Sequence, residues 1–216
     1  MKNYTFTFLG RDSGFGERNN SAYYEIDDKL ILVDCGYTVF NELKRKFDFS
    51  KYNDINVIIT HLHNDHAGSL SQLILFLWFI HHKKVTVISK CSTIEDYLNI
   101  TGTPKEAYEL KNKLDNLEFI KTNHSSYIEA YGFKIILDNK TIIYTGDTAI
   151  IEPFMPYIDS ANELYIDVSR YGGAHIKIED VIDLLEKAQK NGTLIVLMHL
   201  DDKEYIKKIT KNKFSV

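Results

Sequence analysis

The stretch VIITHLHNDHAG, residues 57–68, decides how this chain is read. Val57, Ile58 and Ile59 form an apolar β-branched run, which predicts a buried strand. Directly behind it His61, His63, Asp65 and His66 crowd into one short turn. In extended backbone, side chains two apart share a face, so His61 and His63 project together. Asp65 and His66 fall where the chain turns into the next helix and can face a second point. Imidazoles packed this closely repel when protonated, so the density points to metal ligation and away from an incidental solvated turn.

Two cations side by side each need about four to six ligands, more than one loop supplies. Further donors stand at His124 in KTNHSSY, Asp147 in YTGDT and His199 in VLMHL, each at or just after an expected strand end. The carboxylate of Asp147 has two oxygens, which lets one residue bridge both ions. With the loop, these residues complete two nitrogen-and-oxygen sites.

Outward from the loop, strand patterns lie at 4–9, 21–26, 29–34, 57–60, 85–89, 134–137, 141–145, 163–168 and 193–198. Helical patterns lie at 38–46, 69–82, 93–98, 104–117, 178–190 and 203–209. Pro104 suits a first helical position, and Gly192 sits just past the helix that starts at Ile178, where a left-handed cap is wanted. Sheet layers covered by helices follow, an α/β (α+β) class. Polar residues gather in the loops after Asp34, Thr60, Thr145, Val168 and Met198, which predicts chemistry held at one rim.

With 216 residues, 44% of them apolar, and no linker or repeat, the chain is expected to form one domain over 1–216. A formal net charge of −4 excludes the strongly basic face of a protein that grips nucleic acid through phosphates. Tyr4, Phe6 and Phe8 alternate with Thr5 and Thr7, strand periodicity unlike a signal peptide. The apolar run LSQLILFLWFI, 70–80, is interrupted by Ser71 and Gln72 and falls short of the roughly 20 residues of a bilayer span. Neither export nor a membrane is therefore expected. Cys35 and Cys91 are too few for a disulfide framework and predict free thiols in the cytoplasm.

His61, His63, Asp65 and His66 match, residue for residue, the diagnostic motif of the metallo-β-lactamase fold superfamily, which the chain resembles from about Phe6 to Leu200. The resemblance implies an αββα four-layer sandwich. It also implies one ion on His61, His63 and His124, a second on Asp65, His66 and His199, and Asp147 bridging. FLGRDSGFGERNNSAYYE followed by LVDCG resembles the opening of the branch holding transfer-RNA 3′-processing endonucleases and cyclic-nucleotide phosphodiesterases. Asp147 stands where true metallo-β-lactamases commonly place Cys, so antibiotic hydrolysis is not expected. The long tRNA-gripping arm of the endonucleases is missing, since SSYIEAYGFKIILDNKTIIYTGD runs straight from His124 to Asp147.

The implied enzyme is a dinuclear hydrolase using two divalent ions, zinc above all, with manganese or iron fitting the same donors. Its nucleophile is a water acidified between the ions to a pKa of roughly 7. The expected substrate is a small phosphodiester, a cyclic nucleotide or short oligonucleotide, with no large nucleic-acid partner. Thioester or lactone hydrolysis, an RNase Z-like endoribonuclease and a non-catalytic nucleotide-binding protein are the alternatives. Asp65 is expected to orient the nucleophile. His175 in GGAHIKIED matches the branch's His motif and is assigned to the leaving oxygen, although Ile176 and Lys177 depart from the usual pattern. Arg18, Asn19 and Asn20 are candidate substrate contacts. His81 and His82 read as helix-terminal residues, and the Lys-rich C-terminal stretch as a solvated amphipathic helix. The nearly all-apolar run 70–80, with Phe76, Trp78 and Phe79, exceeds what one helix on one sheet must bury and predicts a homodimer.

Overall fold

The computed structural model describes residues 4–216, which fall into two compact units, Thr5–Lys113 and Leu114–Val216 with Tyr4. The first unit is a six-stranded sheet of β1 (Thr7–Gly10), β2 (Ser21–Ile26), β3 (Lys29–Val33), β4 (Asp54–Ile59), β5 (Val85–Ser89) and β6 (Tyr108–Lys111), side by side in chain order. Pairing is antiparallel from β1 to β3 and parallel from β3 to β6. Val57, Ile58 and Ile59 are fully buried, which is why the central strand reads as an unbroken apolar run.

Helices α1 (Val39–Lys46), α2 (Asn64–Ala67), α3 (Leu70–His81) and α4 (Ile94–Ile100) connect these strands. α3 buries Leu70, Leu73, Ile74 and Leu77, a stripe at i, i+3, i+4 and i+7, and stops where His82 turns left-handed. The imidazole of His81 packs edge-on against Phe49 and Phe76.

The second unit holds a five-stranded sheet in the order β11-β10-β9-β8-β7, comprising β7 (Leu117–Lys121), β8 (Tyr131–Leu137), β9 (Lys140–Tyr144), β10 (Glu163–Asp167) and β11 (Leu194–Met198). β8 and β9 form a hairpin whose two loop residues, Asp138 and Asn139, both have positive φ, as a tight turn matched to strand twist requires. β9, β10 and β11 are parallel. The helices are α5 (Met155–Ile158), α6 (Ile178–Lys190) and α7 (Lys203–Ile209). α6 buries Ile178, Val181, Leu185 and Ala188 against Ile166, Ile195 and Leu197, and Gly192 beyond it has φ 104°. α7 is capped by the Asp202 side chain and buries Ile206, so the Lys-rich stretch is an amphipathic helix as expected. Among the described residues no helix is long and apolar enough to cross a membrane.

The helix expected over 104–117 is not formed. A short 3₁₀ turn, Lys105–Ala107, leads instead into β6, whose residues pair with β5 from Val85↔Tyr108 to Ile88↔Lys111, and β7 begins at Leu117. Glu, Lys and Leu carry high helix propensity, but the open edge of β5 offers a full ladder of backbone partners, and tertiary pairing outweighs tenths of a kcal/mol per residue. β7 (Leu117–Lys121) is likewise not among the expected strands.

Leu77 is completely buried. Leu77→Ala is expected to destabilise the protein by about 2–5 kcal/mol, seen as a lower urea midpoint with an unchanged slope.

Candidate metal-ligand sets

In the first unit the parallel strands β3, β4 and β5 end at the same rim, and the polar residues follow at once. Asp34 comes directly after β3 with φ 60°, a left-handed conformation that costs a non-glycine residue about 1 kcal/mol or more. Its buried carboxylate accepts from Thr60 N at 2.9 Å, from Thr60 Oγ1 at 2.9 Å and from His66 Nδ1 at 2.8 Å. Burial pushes the Asp34 pKa up, against the pull of the His66 charge and these hydrogen bonds. Asp34 therefore ties the end of one strand to the start of the His-rich turn and fixes the His66 ring.

The same bonds set the tautomers. Thr60 donates its hydroxyl proton to Asp34, so its oxygen receives the Nδ1 proton of His61 at 3.1 Å, and His61 Nε2 carries the lone pair. That atom lies 3.0 Å from His63 Nδ1. His66 gives its Nδ1 proton to Asp34, which turns the Nε2 lone pair toward Asp65 Oδ2 at 3.2 Å. At His66 and Asp65 a lone pair thus faces a carboxylate oxygen, the kind of donor set that a bound cation fits, and a carboxylate behind the imidazole is the usual support for a metal-ligating histidine. The residues of this turn fit a divalent ion of nitrogen-and-oxygen preference.

In the second unit β9, β10 and β11 likewise end together, and β7 runs parallel to β9 through two antiparallel pairings. Asp147 follows β9, reached through the left-handed Gly146 at φ 57°; His199 follows β11 with φ 56°; His124 lies in the loop after β7. His124 donates Nδ1–H to the Ala174 carbonyl at 3.0 Å, directing Nε2 toward Asp147 Oδ2 at 3.7 Å. His199 Nε2 lies 3.3 Å from the same oxygen. Two imidazoles thus converge on one buried carboxylate oxygen.

Asp167, the last residue of β10, is a functional candidate that the sequence reading passed over as part of a strand. It is fully buried, its Oδ2 lies 2.9 Å from His175 Nδ1, and the same oxygen accepts from Thr148 N at 3.0 Å. Asp147, Asp167, His175 and His199 each bring one donor atom to within 4.8 Å of the others. Burial pulls the His175 pKa down, but the hydrogen bond and charge of Asp167, helped by Asp147, outweigh it and leave the value above that of an ordinary histidine. The loop before His175 is held by Ser169, whose oxygen accepts from Tyr171 N and Gly172 N at 2.9 and 3.0 Å, while Gly172 and Gly173 take positive φ. A charge that closes an apolar strand, as in ELYID, was the signal available in the sequence.

Arg18 directs its guanidinium to the Leu9 carbonyl at 2.5 Å and to Glu42 at 3.5 Å. Asn19 accepts from the backbone and hydroxyl of Thr38, both at 3.1 Å, and Asn20 is buried. These residues fasten the glycine-containing loop to the start of α1. Gly14 in that loop lies so close to the turn that an added Cβ would meet Asp65 Oδ2 at 3.0 Å. Cys35 and Cys91 are free and buried, and burial pushes the Cys35 thiol up to about 12, so it is inert.

The architecture is that of the metallo-β-lactamase fold. It is similar to the metallo-beta-lactamase fold protein YhfI from Bacillus subtilis, with a TM-score of 0.78 at 21% identity over 97% of this chain and 92% of that one. Residues 4–96 and 87–215 match the family of the anti-Pycsar protein Apyc1, and the chain belongs to that family. Among curated relatives, the anti-Pycsar protein Apyc1 of Paenibacillus harenae is 28% identical over 111 residues, covering 50% of this chain and 45% of that protein. The anti-Pycsar protein Apyc1 of Bacillus phage 010DV004 is 34% identical over 77 residues, covering 34% of this chain and 30% of that protein. The matched stretches therefore span less than half of these relatives.

Asp34→Asn keeps the shape but removes the charge behind His66. A loss of about 10–100-fold in metal affinity is expected, measured by competition with a chromogenic chelator. Unchanged affinity would mean that Asp34 does not support a ligand.

Proposed function

We propose that this chain is a metal-dependent phosphodiesterase acting on a small phosphodiester, a cyclic nucleotide or short oligonucleotide. The two units are read as halves of one catalytic domain. His61, His63 and His124 are assigned to one divalent cation, Asp65, His66 and His199 to the other, and Asp147 to both. The observation that carries the reading is the convergence of imidazole nitrogens and carboxylate oxygens at both rims, as at His66 and Asp65, 3.2 Å apart, and His199 and Asp147, 3.3 Å apart. Membership of the anti-Pycsar Apyc1 family supports it. The donors suit zinc, with manganese and iron as competitors.

Bound cations supply acidified water at neutral pH and draw off charge from the phosphoryl oxygens. Asp65 orients the attacking water and takes a proton at its carboxylate. His175 presents Nε2 to the leaving oxygen, while Asp167 fixes the ring through Nδ1 and favours its protonated form. Only a short loop separates β7 from β8, so the chain carries no arm there for a folded tRNA, and the acidic balance of 30 Asp and Glu against 26 Lys and Arg disfavours a large polyanion. The free thiols agree with a cytoplasmic setting.

The test is a screen of metal-loaded protein on cyclic mononucleotides, bis-p-nitrophenyl phosphate, thioesters and lactones, with His63→Ala as the metal-site control. Turnover of the phosphodiesters, abolished in His63→Ala, is expected; turnover confined to acyl substrates overturns the reading. Asp167→Asn should lower kcat on nucleotides about 10²–10⁴-fold while sparing p-nitrophenyl esters, whose leaving group needs no proton. Equal losses on both would assign Asp167 to structure alone.

The protein is also read as a homodimer through α3, where Phe79 and Ile80 are 60% and 62% exposed and Trp78 is half-buried. Light scattering at micromolar concentration should give twice the mass of one chain, and a monomeric mass contradicts the assignment.

A further inference from the structure

A crevice of about 670 Å³ opens in the first unit at the C-terminal ends of β5 and β6. One wall is formed by Lys90, Cys91 and Ile94, the other by Leu110, Lys111 and Lys113. Its floor is joined to the metal-ligand turn. Ser89 Oγ donates to the Ile59 carbonyl at 3.0 Å and Cys91 Sγ to the Thr60 carbonyl at 3.6 Å, so the peptide that leads into His61 also backs the crevice. In parallel sheets this rim is where ligands collect, and the volume lies within the roughly 300–1,000 Å³ of small-molecule sites.

The lining has a sign opposite to the rest of the chain. Lys90, Lys111 and Lys113 stand around it, and the one acid, Glu95, is engaged by Lys105 at 2.5 Å. Lys111 reaches Glu109 at 3.4 Å, an exposed pair that adds little and is readily exchanged. Lys90 and Lys113 form no ion pair among the described residues. Against a whole-chain charge of −4, such a concave cluster of ammonium groups selects an anion. Buried Ile94 and half-buried Leu110 add apolar surface to the lining.

We propose that this crevice binds a phosphorylated nucleoside, with the lysines on the phosphate and the base against Ile94 and Leu110. The choice of a nucleotide among phosphate-bearing ligands rests on the phosphodiesterase reading above. The phosphate has two possible sources, a second phosphate of the substrate itself or a separate nucleotide.

Binding of a fluorescent, ribose-labelled adenosine 5′-monophosphate to metal-loaded protein, followed by anisotropy, tests the site without turnover. Wild type and His63→Ala are expected to bind alike. Lys90→Glu/Lys113→Glu should weaken binding at least tenfold and flatten its salt dependence, and the milder Lys90→Gln/Lys113→Gln should weaken it in the same direction. Both positions are exposed, and circular dichroism verifies that the variants fold. Undiminished binding in both double variants, loss of binding in His63→Ala, or no binding by wild type at millimolar probe each overturns the proposal. If binding behaves as expected but no phosphodiester is turned over, the crevice stands and the proposed activity falls. Where turnover occurs, a rise in KM confined to a 5′-phosphorylated dinucleotide, with a cyclic mononucleotide unaffected, assigns the phosphate to the substrate. A change for both assigns it to a separate nucleotide.

Discussion

The two strand rims share one electrostatic constraint: a histidine nitrogen whose proton is elsewhere needs a hydrogen-bond donor or a cation opposite it. His66 gives Nδ1–H to Asp34 and meets the Asp65 carboxylate with a lone pair, 3.2 Å away. His124 gives Nδ1–H to a carbonyl and points its other nitrogen at Asp147. Two acceptors in buried surroundings repel, and the low dielectric magnifies the repulsion. A proton relieves one such contact at a time, whereas a divalent cation relieves several at once. The left-handed backbone at Asp34 and His199 is a second cost placed where the donors must be aimed.

What offsets these costs is the burial immediately beneath. Val33, Ile59, Ile166 and Met198 are almost completely inaccessible, and each sits a residue or two before a polar turn. Parallel pairing forces the strand ends into register, so donors distant in sequence arrive on one edge of their sheet without any long loop. Helices α3 and α6 then fill the sheets with apolar stripes of helical period. The result is rigid where the chemistry is, since the ligand-bearing turns are held by side-chain to backbone bonds and not by the turns' own flexibility.

Most of this order was legible in the sequence because it follows period and spacing. Strands 21–26 and 85–89 and helices 178–190 and 203–209 end where their patterns end. The segment 104–117 was misread because local propensity speaks for a helix while the deciding partner, the free edge of β5, lies elsewhere in the chain. For a related reason Asp34 and Asp167 were not assigned roles. A carboxylate that supports an imidazole shows no spacing rule relative to it, and only the folded geometry brings Asp34 to His66 or Asp167 to His175. Arg18 illustrates the converse. Its charge and its glycine-flanked position suggest a substrate contact, and the folded chain adds what spacing does not show, the carbonyl of Leu9 in β1 and the carboxylate of Glu42 in α1 beside it.

The direction of the His175 shift bears on which half of the reaction this residue serves. Burial alone would favour the neutral ring, a proton acceptor. Asp167 opposes that, because its carboxylate is fully buried and bonded to Nδ1, which favours the charged form of the ring and a proton on Nε2. A cation on Asp147 would withdraw the smaller contribution of that carboxylate and repel the charged ring directly, which leaves the Asp167 bond as the contact that retains the proton. A group that arrives protonated is matched to the leaving oxygen and not to the attacking water. In the proposed division of labour, with Asp65 on the nucleophile and His175 on the leaving group, it is the contact with Asp167 that suits His175 to its part.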